Sequence, residues 1–182
     1  DAVFFCVPAT VTPIFDSNMY QYPYILQGGK DMKCDANTFA QMYETVYKDL
    51  YRFALCIMKN QHEAEDAVSE AVIAAYENVR KLRNADAFKR WMFTILSNIC
   101  KKKLKNATKE ALCSWEDTYE SFSVEEKDIG LSVDIRRAFF VLEEEEQIVI
   151  GLSVFGGYNS KEIGKMLSLN SNTVRSKRRR AL

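Results

Sequence analysis

Apolar residues recur at helical spacing through the first half of the chain. From Thr38 to Lys59 they return every three or four positions, which is the period of an amphipathic α-helix. A second helix is predicted from His62 to about Arg80, with alanines on one face for close packing and acidic side chains on the other. A third is predicted from Phe88 to Lys105, with cations outside an inward stripe. The stripe consists of Phe88, Met92, Ile95, Leu96 and Ile99.

The last third of the chain predicts four more helices. Ser132 is the expected N-cap of the first. The second begins at Glu143–Glu146, where four acidic side chains suit the positive end of the helix dipole. Gly156 and Gly157 are expected to end that helix, because glycine readily adopts the conformations that follow a last helical turn.

The final two predicted helices form a helix-turn-helix. Ser160 is expected to cap a short amphipathic helix, and residues 168–170 break it and cap the next one. In that last helix only Val174 and Ala181 are apolar, and the other positions are hydroxyls, amides and cations. A packing helix followed by a polar helix is the arrangement that places a helix in the major groove of DNA. A solvated basic helix at the end of a domain is the plainer alternative.

Together these elements predict an all-α protein of two small helical domains joined by a linker. The first domain is expected to span residues 32–105 and the acidic linker residues 106–131, with a short helix near residues 124–129. The second, residues 132–182, is expected to be a four-helix domain that contains the helix-turn-helix.

Residues 1–31 differ in composition from the rest of the chain. They hold all three prolines and show no helical period, and residues 3–7 have the composition of a short strand. We expect Met32 to be the natural start of the protein and residues 1–31 to be an added extension of unclear origin. The alternative is a native N-terminal arm.

Charge is distributed unevenly along a chain whose formal net charge is zero. Residues 32–105 carry a net +4 and residues 147–182 a net +6, whereas residues 106–146 between them carry −8. Two basic blocks on either side of an acidic one suit a protein that binds a polyanion with both ends. The alternative is a zwitterionic protein with an uneven surface.

The sequence lacks the motifs of an enzyme. His62 is the only histidine, and its position at a helix start explains it without catalysis. No phosphate-binding or nucleophile motif occurs, and the acidic side chains around Glu65 lack the second ligand cluster that a metal site would need. We therefore expect no enzymatic activity and no cofactor or metal.

The cysteines and the hydropathy pattern indicate the compartment. The five cysteines are widely scattered, and Cys56 and Cys100 lie within apolar helical patterns, so we expect buried thiols in a reducing cytoplasm. No apolar run in the sequence reaches membrane-spanning length, so we expect no membrane insertion.

Two stretches of the sequence resemble one protein family. The sequence AEDAVSEA at residues 64–71, followed by FKRWMFTILSN at residues 88–98, is similar to region 2 of the sigma-70 family, in its extracytoplasmic-function group. Residues 159–181 resemble region 4 of the same proteins, and the likeness covers about residues 36–182 in the expected order. The residues that depart from the usual pattern are Ser69, Gly164, Lys177 and Arg178, the last at a usually apolar position.

The resemblance implies a transcription initiation factor that directs RNA polymerase core to promoters. It implies polymerase contacts for Glu65, Asp66 and Glu70. For the −10 element it implies Arg83, Asn84, Asp86, Lys89, Arg90, Trp91, Asn98, Lys101 and Lys102. For the −35 element it implies Asn172, Thr173, Arg175, Ser176, Lys177, Arg179 and Arg180. Trp91 is the candidate platform for an unstacked base, with a place in the core as the alternative.

RNA polymerase core, promoter DNA and an anti-sigma factor are therefore the expected partners. The resemblance also implies that the acidic linker threads a basic channel of the polymerase. The main alternative is a stand-alone helix-turn-helix repressor or activator. Such a regulator would have no need for the acidic second helix and the tryptophan-containing basic helix that follows it.

Overall fold

A computed structural model describes residues 35–82, 84–111 and 133–181 of the chain. These residues form seven α-helices and two short 3-10 helices, and no strand occurs among them. The 3-10 helices, Val79–Lys81 and Ala85–Ala87, connect the second α-helix to the third. The α-helices are α1 (Ala36–Met58), α2 (Gln61–Asn78), α3 (Phe88–Ala111), α4 (Val133–Phe140), α5 (Glu144–Val154), α6 (Ser160–Leu167) and α7 (Ser171–Arg180). The prediction of an all-α protein is confirmed.

Local capping explains where α1 begins and ends and where α2 begins. The Asp35 carboxylate accepts a hydrogen bond from the Thr38 backbone nitrogen at 2.8 Å and caps α1. Lys59, with a left-handed φ of 60°, ends the helix. The Asn60 side chain then accepts from the Glu63 backbone nitrogen at 3.1 Å and starts α2. Small buried side chains let α2 approach its neighbours closely, namely Ala64, Ala67, Ala71, Ala74 and Ala75.

The four C-terminal helices share a compact core. Gln147 is buried among apolar residues, and its amide nitrogen donates to the carbonyl oxygens of Phe139 and Leu142 at 2.9 and 2.8 Å. These hydrogen bonds tie the end of α4 to α5 and satisfy carbonyls that the helix itself leaves unpaired. The buried apolar side chains are Ile148, Val149, Leu152, Ile163, Met166, Leu167 and Val174.

The N-terminal and C-terminal helices pack directly against each other, mainly through α1, α3 and α5. Gly151 of α5 lies so close to α1 that an added β-carbon would stand 2.8 Å from the Phe53 ring. Cys56 of α1 is buried in a cluster with Phe139 and Ile150 from the C-terminal helices. As a result, every residue from Trp91 to Ser97 of α3 is buried. The prediction of cations outside a single inward stripe is wrong for this part of α3.

The predicted helix boundaries differ from the structure most clearly at the end of α3 and the start of α6. The third helix continues to Ala111, six residues past the predicted end at Lys105. The cap of α6 is Asn159 rather than Ser160, because the Asn159 side chain accepts from two backbone nitrogens of the first turn. Glu162 completes this capping box by accepting from the Asn159 backbone nitrogen at 2.9 Å. The strand expected at residues 3–7 and the helix expected at residues 124–129 lie outside the described residues.

Candidate nucleic-acid interface

The exposed face of α7 is polar and cationic, and a single buried apolar residue anchors the helix from its other side. Val174 is fully buried and holds α7 against the core of the C-terminal helices. The guanidinium of Arg175 donates to the Asn172 side-chain oxygen at 3.2 Å, so the two side chains form one edge of donors and acceptors. Guanidinium and amide groups are those that discriminate bases in the major groove. The exposed members of this face are Asn172, Thr173, Arg175, Ser176 and Arg179.

Close packing of α6 and α7 fixes how α7 is presented. A β-carbon added at Gly164 would stand 2.7 Å from the Leu169 carbonyl oxygen, so the turn needs a glycine there. Ser168 ends α6 with a left-handed φ of 55°. Arg178 lies half-buried and donates to the Ser160 hydroxyl at 3.4 Å. The aliphatic part of the Arg178 side chain therefore packs along α6, which explains how the helix pair tolerates a cation at a usually apolar position.

Two cations of α7 are held by acidic residues of α5. The Lys177 ammonium lies 2.7 Å from Glu145, and the Arg180 guanidinium lies 3.1 Å from Glu146. A hydrogen bond and charge attraction from Lys177 hold the pKa of Glu145 below its usual value, with a smaller contribution from Lys101. These contacts orient the end of α7. They also compete with any phosphate that would bind the same two cations.

A polar turn precedes α3 and carries several of the predicted −10 residues. The Asn84 side chain accepts from the Asp86 backbone nitrogen at 2.9 Å and caps the 3-10 helix Ala85–Ala87. Both side chains are exposed, as is Arg90 one turn further on. The Lys89 ammonium lies 3.0 Å from Asp49 of α1. Arg83 lies outside the described residues.

The remaining predicted −10 residues differ in their exposure. Trp91 is only 5% exposed, and its ring packs edge-on against Phe88 with centroids 6.4 Å apart, so a base cannot stack on it in this arrangement. Lys102 is exposed, whereas Asn98 and Lys101 are half-buried. Burial lowers the pKa of Lys101, against the opposing attraction of Glu145.

The predicted polymerase-binding face lies on α2, opposite its alanines. Glu65, Asp66 and Glu70 are all exposed. Glu65 accepts from the Tyr51 hydroxyl at 3.5 Å and from the Gln61 amide at 3.0 Å. These hydrogen bonds orient a carboxylate for which the sequence predicted only exposure.

Lys103 of α3 links the acidic face to the candidate DNA-binding helix. Its ammonium lies 3.0 Å from Glu70 and 3.4 Å from Glu63. Burial acts to lower the pKa of Lys103, but hydrogen bonds and attraction from these two carboxylates outweigh it and raise the pKa. The residues that sequence reasoning missed at these surfaces are Tyr51, Lys103, Glu145 and Glu146. Spacing within one helix gives no sign of such contacts between helices.

Comparison with known proteins decides the family. The profile of Sigma-70 region 2 matches residues 42–110, and that of Sigma-70, region 4 matches residues 132–182. The RNA polymerase sigma factor SigV of Bacillus subtilis is 30% identical over 135 residues, which are 74% of this chain and 81% of SigV. The chain belongs to the sigma-70 family of RNA polymerase sigma factors. Within that family it falls in the extracytoplasmic-function group, whose SigM of Mycobacterium tuberculosis is 24% identical over 81% of this chain and 74% of SigM.

A solved structure shares the fold of this sigma factor. The sigma factor RpoE of Bartonella quintana, crystallised with the anti-sigma factor NepR, superposes with a TM-score of 0.70 at 23% identity. The match covers 80% of this chain and 92% of the other.

In this sigma factor, α1 to α3 correspond to region 2 and α4 to α7 to region 4. Its function is that of the family, to direct RNA polymerase to promoters. No helix among the described residues is long and apolar enough to cross a bilayer. The same residues contain no group of three or more side chains suited to hold a metal ion.

Proposed function

We propose that this sigma factor works through three surfaces: the polar face of α7, the turn and start of α3, and the acidic face of α2. The observation that carries the proposal is the combination of an exposed, polar and cationic helix with a region 2 domain in one chain. A stand-alone repressor needs only the first. We propose further that the protein acts by binding and not by catalysis, in the compartment that holds polymerase and chromosome.

On α7, pairing with the acidic residues of α5 separates the proposed phosphate contacts from the proposed base contacts. The proposed readers of the −35 element are the exposed Asn172, Thr173, Arg175, Ser176 and Arg179. Lys177 and Arg180 lie towards α5, so we assign them to phosphates that replace Glu145 and Glu146 as their partners.

On α3, the proposed −10 contacts begin at the exposed turn. The Asn84 amide offers a donor to an unstacked base and the Asp86 carboxylate offers acceptors, and Arg83 adds further donors from the sequence. Trp91 lacks the exposure that stacking needs, so we assign it to the core. The proposed phosphate contacts are Lys89, Arg90, Lys101 and Lys102, with Asn98 beside them.

The acidic face of α2 is the proposed polymerase contact. Asp66 and Glu70 are exposed, and Glu65 is oriented by Tyr51 and Gln61. A basic element of the polymerase would be attracted to these carboxylates. We also propose an anti-sigma factor as a partner, since the similar RpoE chain was crystallised with one.

Co-purification with RNA polymerase core tests this proposal. The purified chain is mixed with core enzyme, separated by gel filtration and assayed for transcription from a pool of promoter fragments. We expect a stable complex that initiates at discrete sites, whereas core alone gives no discrete starts. A chain that elutes apart from core, or that adds no start sites, would contradict the proposal.

A further inference from the structure

We propose that Arg178 of α7, together with Ser160 and Lys161 at the start of α6, binds a phosphate of the DNA backbone. The site lies on the side of α7 that faces α6. The inference rests on the proposed placement of α7 in the major groove. It goes beyond that placement by adding a phosphate contact at a residue that the family resemblance does not assign to DNA.

Arg178 and Lys177 lie on opposite sides of the residue that anchors α7. Because an α-helix turns by about 100° per residue, Lys177 lies about 60° to one side of Val174 and Arg178 about 40° to the other. The contacts agree with these angles. Lys177 reaches Glu145 of α5 at 2.7 Å, and Arg178 reaches Ser160 of α6 at 3.4 Å. The two cations therefore border the exposed face of α7 along two different edges.

The width of the major groove explains why both edges matter. A helix with its side chains is about 10–12 Å across and the groove is about 12 Å wide, so a bound helix lies between two rows of phosphates. Lys177 and Arg180, which pair with α5, are the proposed phosphate contacts on one edge. Arg178 is a cation of α7 that contacts α6, so it lies on the edge that faces the other row of phosphates.

The start of α6 holds the Arg178 guanidinium and adds a second cation. Arg178 is half-buried and donates one hydrogen bond to the Ser160 hydroxyl, which leaves its other guanidinium nitrogens able to donate to a phosphate. Lys161, the next residue of α6, is exposed. Guanidinium, hydroxyl and ammonium groups are those with which proteins bind phosphate oxygens. In a helix-turn-helix the first helix crosses the DNA backbone, which places the start of α6 beside such a phosphate.

Acidic side chains leave this site to a phosphate. Glu162 accepts from the backbone nitrogen of Asn159 at 2.9 Å and belongs to the capping box of α6. The Asn159 side chain in turn accepts from the backbone nitrogens of Lys161 and Glu162, so the site consists of side chains and does not use the helix N-terminus. Unlike the cations on the α5 edge, Arg178 forms no ion pair with a carboxylate in the part of the chain that the structure describes.

The usual family residue at this position separates packing from DNA binding. Arg178 stands where the sigma-70 pattern has an apolar residue. An apolar side chain there would extend the core contact of Val174, which lies one turn earlier on the same side of α7. Arg178→Leu is therefore expected to keep the packing of α6 against α7 while it removes the phosphate donor.

The salt dependence of DNA binding tests the site in the full chain bound to RNA polymerase core. The DNA is a promoter duplex selected from random sequences by that complex. For Arg178→Leu we expect the slope of log affinity against log salt to fall in magnitude by about 0.9, which corresponds to one phosphate contact. At about 0.15 M salt the affinity should fall about fivefold. The loss should be equal on duplexes with substituted −35 base pairs, since a phosphate carries no base identity.

Two further variants serve as controls for charge and for position. Arg178→Lys keeps the cation and should retain most of the slope. Arg137→Leu makes the same substitution at an exposed cation of α4 and should leave the slope unchanged. Thermal unfolding followed by circular dichroism should show Arg178→Leu to be at least as stable as the unsubstituted chain.

Neutral methylphosphonate linkages, placed one at a time along the −35 duplex, locate the phosphate. One linkage should weaken binding of the unsubstituted chain and have no effect on binding of Arg178→Leu. Lys161→Gln should reduce the effect of that same linkage. We expect it to lie on the opposite strand from the linkage whose effect disappears in Lys177→Gln, because the two cations border different edges of α7.

The outcomes that overturn the site are distinct from those that overturn the proposed function. An unchanged slope in Arg178→Leu, or a loss confined to one base pair, overturns the phosphate site. An equal loss of affinity in Arg178→Leu and Arg178→Lys, with an unchanged slope and a lower melting temperature, also overturns it, because Arg178 then serves the fold alone. If the unsubstituted complex binds without regard to the −35 element, the proposed function of α7 fails. A linkage that still distinguishes Arg178→Leu from the unsubstituted chain would then show that the phosphate site stands without that function.

Discussion

At the scale of single residues, the reading face of α7 depends on side chains that make few contacts within the protein. Arg175 is exposed and donates one hydrogen bond to Asn172, which leaves its remaining guanidinium nitrogens able to donate to the edge of a base. Arg178, three residues on, instead packs on α6. Neighbouring cations of one helix therefore have different roles, and the run of cations in the sequence does not show which residue has which role.

We predict that Arg175→Ala weakens and relaxes recognition at the −35 element. Loss of a bidentate base contact costs about 1–3 kcal/mol at one base pair, whereas loss of a phosphate contact weakens all sequences alike. Footprints of the polymerase complex on variant promoters distinguish the two. Arg137→Ala, an exposed cation of α4, serves as the control. A variant that binds every promoter as the unsubstituted protein does would refute the assignment.

Removal of the Asp66 carboxylate should weaken polymerase binding without unfolding region 2. Asp66→Ala removes an exposed charge from the face of α2 opposite its buried alanines. Titration against core polymerase measures the affinity, and circular dichroism checks the helices. Glu77→Ala, an equal loss of charge at another exposed position of α2, should keep the affinity. If Asp66→Ala and Glu77→Ala bind core polymerase with equal affinity, the assignment of this face of α2 to polymerase binding is wrong.

At the scale of elements, the apolar period together with the cap residues was enough to predict the seven α-helices of the described residues. The caps were less predictable, since Asn159 and Ser160 are both good cap residues and only the capping box with Glu162 decides between them. The burial of Phe93 could not be derived from a one-sided helix. The stretch from Trp91 to Leu96, in which only Thr94 is polar, is the signal that α3 is covered on more than one side.

Alkaline pH should weaken the packing of α1 and α3. Burial raises the pKa of Cys100 from 9.0 to about 12, and that of Tyr43 from 10.0 to about 12. Both pKa values are higher in the folded chain than in the unfolded chain. The protonated side chains therefore contribute fully to the stability of the fold below about pH 9, and this contribution is lost as pH rises towards 12. Urea unfolding between about pH 8 and pH 11 should show this decline. The decline should be smaller in Cys100→Ala, and an identical decline in that variant would exclude the thiol as a cause.

At the scale of the whole molecule, the zero net charge hides two basic surfaces that acidic residues partly neutralise. The sequence predicted an acidic middle segment, and the structure shows two of its members, Glu145 and Glu146, paired with cations of α7. Both pairs lie within region 4, so they depend on how α5 packs against α7. The docking of region 4 on region 2 likewise follows from shape, as at Gly151 and Phe53, and no periodic pattern records it.

A gel-shift titration of a promoter duplex, with and without polymerase core, tests the central claim most directly. The duplex is one selected from random DNA by the chain together with core. At about 0.15 M salt, a few phosphate contacts give little affinity, so we predict no specific complex with the chain alone. Addition of core should produce a specific complex that depends on both promoter elements. Nanomolar, sequence-specific binding by the chain alone, unchanged by core, would contradict the account and indicate a stand-alone regulator.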